Sequence, residues 1–69
     1  MNIESYREEV RSFVKRGNFH AALNVAVSGL NECRRNNDQV LVDQCIGVIR
    51  EVVEALAQAY GSRENLERP

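Results

Sequence analysis

The most informative part of the chain is residues 41–60, LVDQCIGVIREVVEALAQAY. Its apolar residues recur at steps of four and three, which is the spacing of an α-helical face and not the alternation of a strand. We call one series the first stripe: Leu41, Cys45, Val48, Val52, Ala55 and Ala59. A parallel series begins one residue later, and we call it the second stripe: Val42, Ile46, Ile49, Val53, Leu56 and Tyr60.

Two adjacent stripes form an apolar face that is wider than one neighbouring helix can cover. The chain has 69 residues, which is the size of one small domain, and domains of this size often depend on disulfides, a metal or oligomerisation for stability. The pattern therefore predicts a homodimer in which the second stripe is the interface. The alternative is a monomeric three-helix bundle in which both stripes belong to the core.

Two short polar segments, 16–18 (RGN) and 36–38 (NND), divide the chain. Gly and Asn tolerate the left-handed conformation that closes a helix, while Asn and Asp cap the next one. This predicts three helices: Ile3–Arg16, Phe19–Asn36 and Gln39–Tyr60. The predicted fold is all-α, a short helical hairpin packed on one long C-terminal helix in a homodimeric bundle. Residues 1–61 form the domain, with Gly61 ending the third helix, and residues 62–69 form a flexible polar tail.

Two glycines lie inside the predicted helices. Gly29, together with Ala22 and Ala26, is expected to let another backbone approach the second helix closely. Gly47 costs about 1 kcal/mol relative to alanine in a helix interior. We interpret it as either a packing contact or a tolerated weak point.

The composition disfavours several classes of function. Nine basic and ten acidic residues give a net charge of −1, so no overall field attracts nucleic acid or a membrane. No apolar run approaches the roughly 18 residues of a membrane span, and residues 1–5 lack the features of a secretory signal. We expect a cytoplasmic protein with no membrane partner.

The cysteines are Cys33 and Cys45, with eleven residues between them. This spacing is not that of a CxxC pair, and the single histidine, His20, is not at ligand spacing from either. Both cysteines fall on apolar helix faces, which predicts buried, reduced thiols. A disulfide across a helical hairpin is conceivable, and a redox-sensing role for either thiol is a rival hypothesis.

No catalytic, metal or cofactor site is predicted. A lone histidine is typical of a surface or turn position. The carboxylate pairs Glu4/Glu8 and Glu51/Glu54 are interleaved with arginines, and we interpret them as solvated charge pairs along a helix. Without a nucleophile–base pair, a ligand set or a phosphate loop, we expect a protein that is not an enzyme.

A basic stripe runs along the first helix, where Arg7, Arg11 and Lys15 recur every four residues. Such cations can contact phosphates, and a dimer would double their number. This makes a small nucleic-acid-binding regulator the alternative function. Nucleic acid remains the less favoured partner, because acidic residues flank the stripe.

Residues 3–36 resemble a single, divergent tetratricopeptide repeat, a helix–turn–helix unit of about 34 residues. Tyr6 and Phe13 occupy the aromatic positions of its first helix, the segment 17–19 (GNF) matches its turn, and the pairs 22–23 (AL) and 29–30 (GL) match its small and aliphatic positions. The resemblance implies binding of a protein or peptide. The sequence thus predicts a non-enzymatic protein–protein interaction module, a small dimeric adaptor or regulator.

Overall fold

A computed structural model describes the backbone of residues 2–67 and the side chains of residues 2–60. It contains three helices: α1 (Ile3–Lys15), α2 (Phe19–Arg35) and α3 (Gln39–Glu67). Within these residues the fold is all-helical and strand-free, as predicted. The first two helices end one residue earlier than expected, because Arg16 and Asn36 serve as their C-caps.

The two turns are built as the sequence predicts. Gly17 and Asn37 adopt the left-handed conformation, with φ angles of 76° and 57°. Asn18 and Asp38 then cap the following helices, since each side-chain oxygen accepts a hydrogen bond of 3.2 Å from the backbone N–H three residues further on. Short turns of this kind make successive helices antiparallel neighbours.

The predicted end of the third helix was wrong. The helical backbone continues through Gly61 as far as Glu67. Glycine ends a helix by adopting a left-handed conformation, whereas here the helix runs on into a segment, 62–67 (SRENLE), that is rich in good helix formers. The side chains of that segment and residues 68 and 69 lie outside the described residues, so the flexible tail over 62–69 stays a prediction.

The core lies where the three helices meet. α3 packs most extensively on α2 and also contacts α1. The fully buried apolar side chains come from all three helices: Val10, Ala22, Ala26, Cys33, Cys45, Val48 and Val52, with Tyr6 nearly as deep. The long dimension of 46 Å matches that of a 29-residue helix, about 44 Å, so α3 sets the length of the molecule.

The two helix-interior glycines have different surroundings. A methyl group added at Gly29 would overlap the Cε1 and Cζ atoms of the Tyr6 ring. The Tyr6 hydroxyl donates a hydrogen bond of 2.6 Å to the carbonyl oxygen of Ala26. Gly29 therefore admits an aromatic ring of α1 where we expected another backbone. Gly47 has no atom within 4 Å of the place a methyl group would take, which makes it a tolerated weak point.

Candidate interaction surface

The first stripe of α3 is the core of the single chain. Cys45, Val48 and Val52 are 0–1% exposed. Leu41 and Ala55 are half-buried, and only Ala59, near the end of the described side chains, is exposed. α1 and α2 together cover the middle of this stripe, so Cys45, Val48 and Val52 have no surface left to offer to another molecule.

The second stripe lies at the edge of the same helix and is covered only in part. Ile46, Val53 and Tyr60 are 42%, 49% and 51% exposed. The remaining members, which lie half-buried between them, are Val42, Ile49 and Leu56. Monomeric proteins rarely expose a continuous row of large apolar side chains, so this row is a candidate contact surface.

Helix α2 contributes a second row to this surface. Val27 is 43% exposed, and Leu23 and Leu30 on either side of it are half-buried. A signal was present in the sequence, because this row follows one residue behind the buried row of Ala22, Ala26, Gly29 and Cys33 with the same spacing, as the second stripe follows the first.

The two rows meet at both ends, which makes them one surface. Leu30 lines an open groove with Val42 and Ile46 near the α2–α3 turn. At the far end the rings of Phe19 and Tyr60 are in edge-to-face contact, with centroids 6.5 Å apart and an interplanar angle of 64°. We call the combined surface the α2–α3 face; it consists of the second stripe together with Phe19, Leu23, Val27 and Leu30.

The predicted basic stripe on α1 is not a free row of cations. Arg11 forms an ion pair with Glu51 of α3, with Nε–Oε1 and Nη2–Oε2 distances of 3.2 and 3.3 Å. Arg7 is half-buried, and its Nε has no hydrogen-bond partner among the described residues. Lys15 is exposed. The middle charge is therefore neutralised, and Glu51 pairs across helices, where we had expected pairing along its own helix.

The two cysteines are buried, as predicted, and lie side by side. Their Sγ atoms are 3.6 Å apart, and no disulfide joins them. Burial raises the pKa of the Cys45 thiol, and the hydrogen bond with Cys33 raises it further. Burial and the neighbouring Cys45 also raise the pKa of Tyr6. Both groups are thus held protonated in the core between the helices.

The other candidates for chemistry do not converge. His20, Glu4 and Glu54 are exposed. Among the described residues, no group of three His, Cys, Asp or Glu side chains is placed to hold a metal ion. The arrangements that the fold does build are the apolar α2–α3 face and, in the core, a buried pair of thiols.

No protein-family model, curated protein or solved structure matches the chain. The tetratricopeptide-like hairpin over residues 3–36 therefore stays a prediction. Across the described residues, none of the helices is long and apolar enough to cross a membrane. The α2–α3 face is thus the feature from which a function can be argued.

Proposed function

We propose that this protein is a non-enzymatic protein–protein interaction module, a small adaptor or regulator that forms a symmetric homodimer through the α2–α3 face. One observation carries the proposal. Val53 is 49% exposed, whereas Val52 beside it is 1% exposed. The sequence thus places bulky aliphatic residues on a part of α3 that its own chain does not bury.

The charges leave room for a second copy of this chain on the α2–α3 face. Arg34 lines the groove near the α2–α3 turn, beside Val42 and Ile46, and the described members of the face are apolar. The net charge of −1 adds almost no repulsion between copies.

The tetratricopeptide-like hairpin gives the proposed module a further partner class. The α1–α2 hairpin has one side that does not pack against α3. That side can bind a protein or peptide while the dimer forms on the α2–α3 face. We place the protein in the cytoplasm, since a reducing compartment suits two buried thiols. The nucleic-acid alternative has less support, because Glu51 already neutralises Arg11 in the middle of the basic stripe.

The experiment that tests the proposal is a mass determination by light scattering on matched valine variants. Val53→Glu places a charge in the second stripe, and Val40→Glu places the same charge at a position that is 68% exposed and lies on the opposite side of α3. We expect the dimer mass for the wild type and for Val40→Glu, and the monomer mass for Val53→Glu.

A wild-type monomer at high concentration would overturn the proposal, and so would a dimeric Val53→Glu. Circular dichroism establishes that each variant is folded. If Val53→Glu unfolds, Val27→Glu tests the same surface from α2, where the side chain is 43% exposed, and it should also be monomeric.

A further inference from the structure

Two nucleophilic side chains, Cys33 and Cys45, lie side by side in the core and are not members of the α2–α3 face. Cys33 is in the last turns of α2, and Cys45 is in the second turn of α3. Their Sγ atoms are 3.6 Å apart, and both residues are at most 1% exposed. The turn over residues 36–38 joins the two helices next to this pair, so the fold holds the thiols together independently of any second copy.

We propose that Cys33 and Cys45 are a redox modification site, at which a small peroxide forms a reversible disulfide that links α2 to α3 within one chain. A covalent S–S bond is about 2.05 Å long, so the sulfurs must approach by about 1.5 Å. Rotation of the two side chains and a small adjustment of adjacent helix turns provide such a movement. The link would fasten the end of the α2–α3 hairpin.

The chemical step balances with hydrogen peroxide as the oxidant. One sulfur, as its thiolate, attacks a peroxide oxygen, the O–O bond breaks, and a sulfenic acid and one water form. The second sulfur attacks the sulfenic sulfur, forms the S–S bond and displaces the hydroxyl group as a second water. The two sulfurs lose two electrons, and both thiol protons leave in water. A thiol such as reduced glutathione returns the electrons by exchange.

The surroundings of the pair determine which reagents can act. Burial excludes a protein disulfide donor from direct attack, and it raises the pKa of Cys45, which keeps the thiolate fraction small. A small neutral peroxide can penetrate transient openings of the core. Once one sulfur is oxidised, its partner is already in contact, so the internal disulfide should form before a second peroxide reacts.

The decisive experiment is an equilibrium with glutathione redox buffers, on the wild-type chain both folded and denatured in urea. The products are identified by intact mass after acid quenching. Glutathione reaches buried thiols only through local opening, but the equilibrium constant does not depend on the path. We expect the internal disulfide to form with an equilibrium constant at least about tenfold larger in the folded chain, because the fold holds the sulfurs together.

An equal or smaller constant in the folded chain would overturn the proposal, since it would mean that the fold opposes the bond. A product that joins two chains by a disulfide would overturn it as well. Peroxide treatment of the wild type should remove two hydrogens per chain, and dithiothreitol should restore them. Cys33→Ser and Cys45→Ser are the controls, and each should form only sulfenic or higher acids or mixed disulfides.

This inference stands apart from the proposed dimer. Cys45 belongs to the first stripe, under α1 and α2, and the oxidised chain keeps its α2–α3 face. Mass by light scattering on the reduced and oxidised protein separates the two proposals, because either one can fail while the other holds.

Discussion

The two apolar stripes of α3 lie one residue apart in sequence, yet they have different surroundings. Val52 is 1% exposed and Val53 is 49% exposed, although both are valines in the same turn of the same helix. Successive residues of a helix point about 100° apart, and α1 and α2 lie on only one of the two sides. Burial here is decided by where the neighbouring helices lie, since the side chains themselves are alike.

Helix α2 repeats this contrast on its own surface. Ala22 and Ala26 are fully buried, while Val27 is 43% exposed. The small residues face the core and the larger ones face out, which is the reverse of what a self-sufficient small domain needs. The chain therefore carries two apolar layers, one buried in its own core and one that its own helices leave partly exposed.

The largest expected effect is the difference in stability between aspartate substitutions at Val52 in the first stripe and at Val53 in the second stripe. Val52→Asp buries a carboxylate without a partner, which costs several kcal/mol, and a chain of this length has only about 3–10 kcal/mol of total stability. We expect Val52→Asp to be unfolded by circular dichroism. Val53→Asp should remain helical and unfold cooperatively, and equal loss of structure in both variants would break the comparison.

The next largest effect is the difference in stability between alanine substitutions at the two helix-interior glycines, Gly29 and Gly47. Gly29→Ala forces the Tyr6 ring out of its position against α2, which should destabilise the protein by about 1–3 kcal/mol. Gly47→Ala meets no neighbouring atom and should stabilise it by about 0.5–1 kcal/mol through helix propensity. Urea unfolding at fixed protein concentration measures both. A shift in the same direction for both variants would show that Tyr6 does not pack as described.

Removal of a hydroxyl group should lower the free energy of unfolding more at the buried Tyr6 than at the exposed Tyr60. Tyr6→Phe loses the hydrogen bond to the carbonyl oxygen of Ala26 and should cost about 0.5–1.5 kcal/mol in the free energy of unfolding. Tyr60→Phe is the matched control, because Tyr60 is 51% exposed and its ring contact with Phe19 survives. Equal costs would mean that the Tyr6 hydroxyl is as well solvated as that of Tyr60.

Alkaline pH should lower the free energy of unfolding through the titration of Tyr6. The pKa of Tyr6 is raised above its ordinary value of 10.0, mainly by burial and then by Cys45. The unfolded chain therefore loses this proton at lower pH than the folded chain, so the contribution of Tyr6 to stability is complete below pH 10 and is lost as the pH rises above it. Urea midpoints measured across this range should fall less steeply for Tyr6→Phe, and an identical slope would contradict the assignment.

The smallest expected effect concerns the ion pair on the side of the first stripe that faces α1. A double-mutant cycle on Arg11→Ala and Glu51→Ala should give a coupling of about 0.2–1 kcal/mol, since both partners are about half-exposed. The coupling should shrink in high salt. Lys15→Ala serves as the exposed control and should be close to neutral. A coupling of zero at low salt would show that the packing of α1 on α3 does not depend on this pair.

The sequence sufficed to predict the turns because their chemistry is local. A glycine or asparagine in the left-handed conformation followed by a capping side chain needs no information from the rest of the chain, and both turns were predicted. The end of α3 was missed because a single glycine at position 61 does not stop a helix whose following residues favour helix.

The features that depend on the relative rotation of helices could not be predicted. Periodicity shows that residues share a face, but it does not show which face meets a neighbour. The cross-helix pairing of Arg11 with Glu51, the contact between Cys33 and Cys45, and the exposure of Val27 all depend on that rotation. The sequence does show that Leu23, Val27 and Leu30 follow the buried row of α2 at the same spacing, one residue later. This spacing could have indicated the second row of the α2–α3 face.

The most direct test of the central claim is isotope-filtered nuclear magnetic resonance on a mixture of methyl-labelled and unlabelled wild-type chains. Contacts between copies should appear at the methyl groups of Ile46, Ile49 and Val53, and not at those of Val48 and Val52. The methyl signals of Ile46, Ile49 and Val53 should shift with protein concentration, whereas the methyl signal of Ile3 should stay fixed. The absence of contacts between copies at high concentration, or contacts confined to another face, would contradict the assignment of the second stripe as the interface.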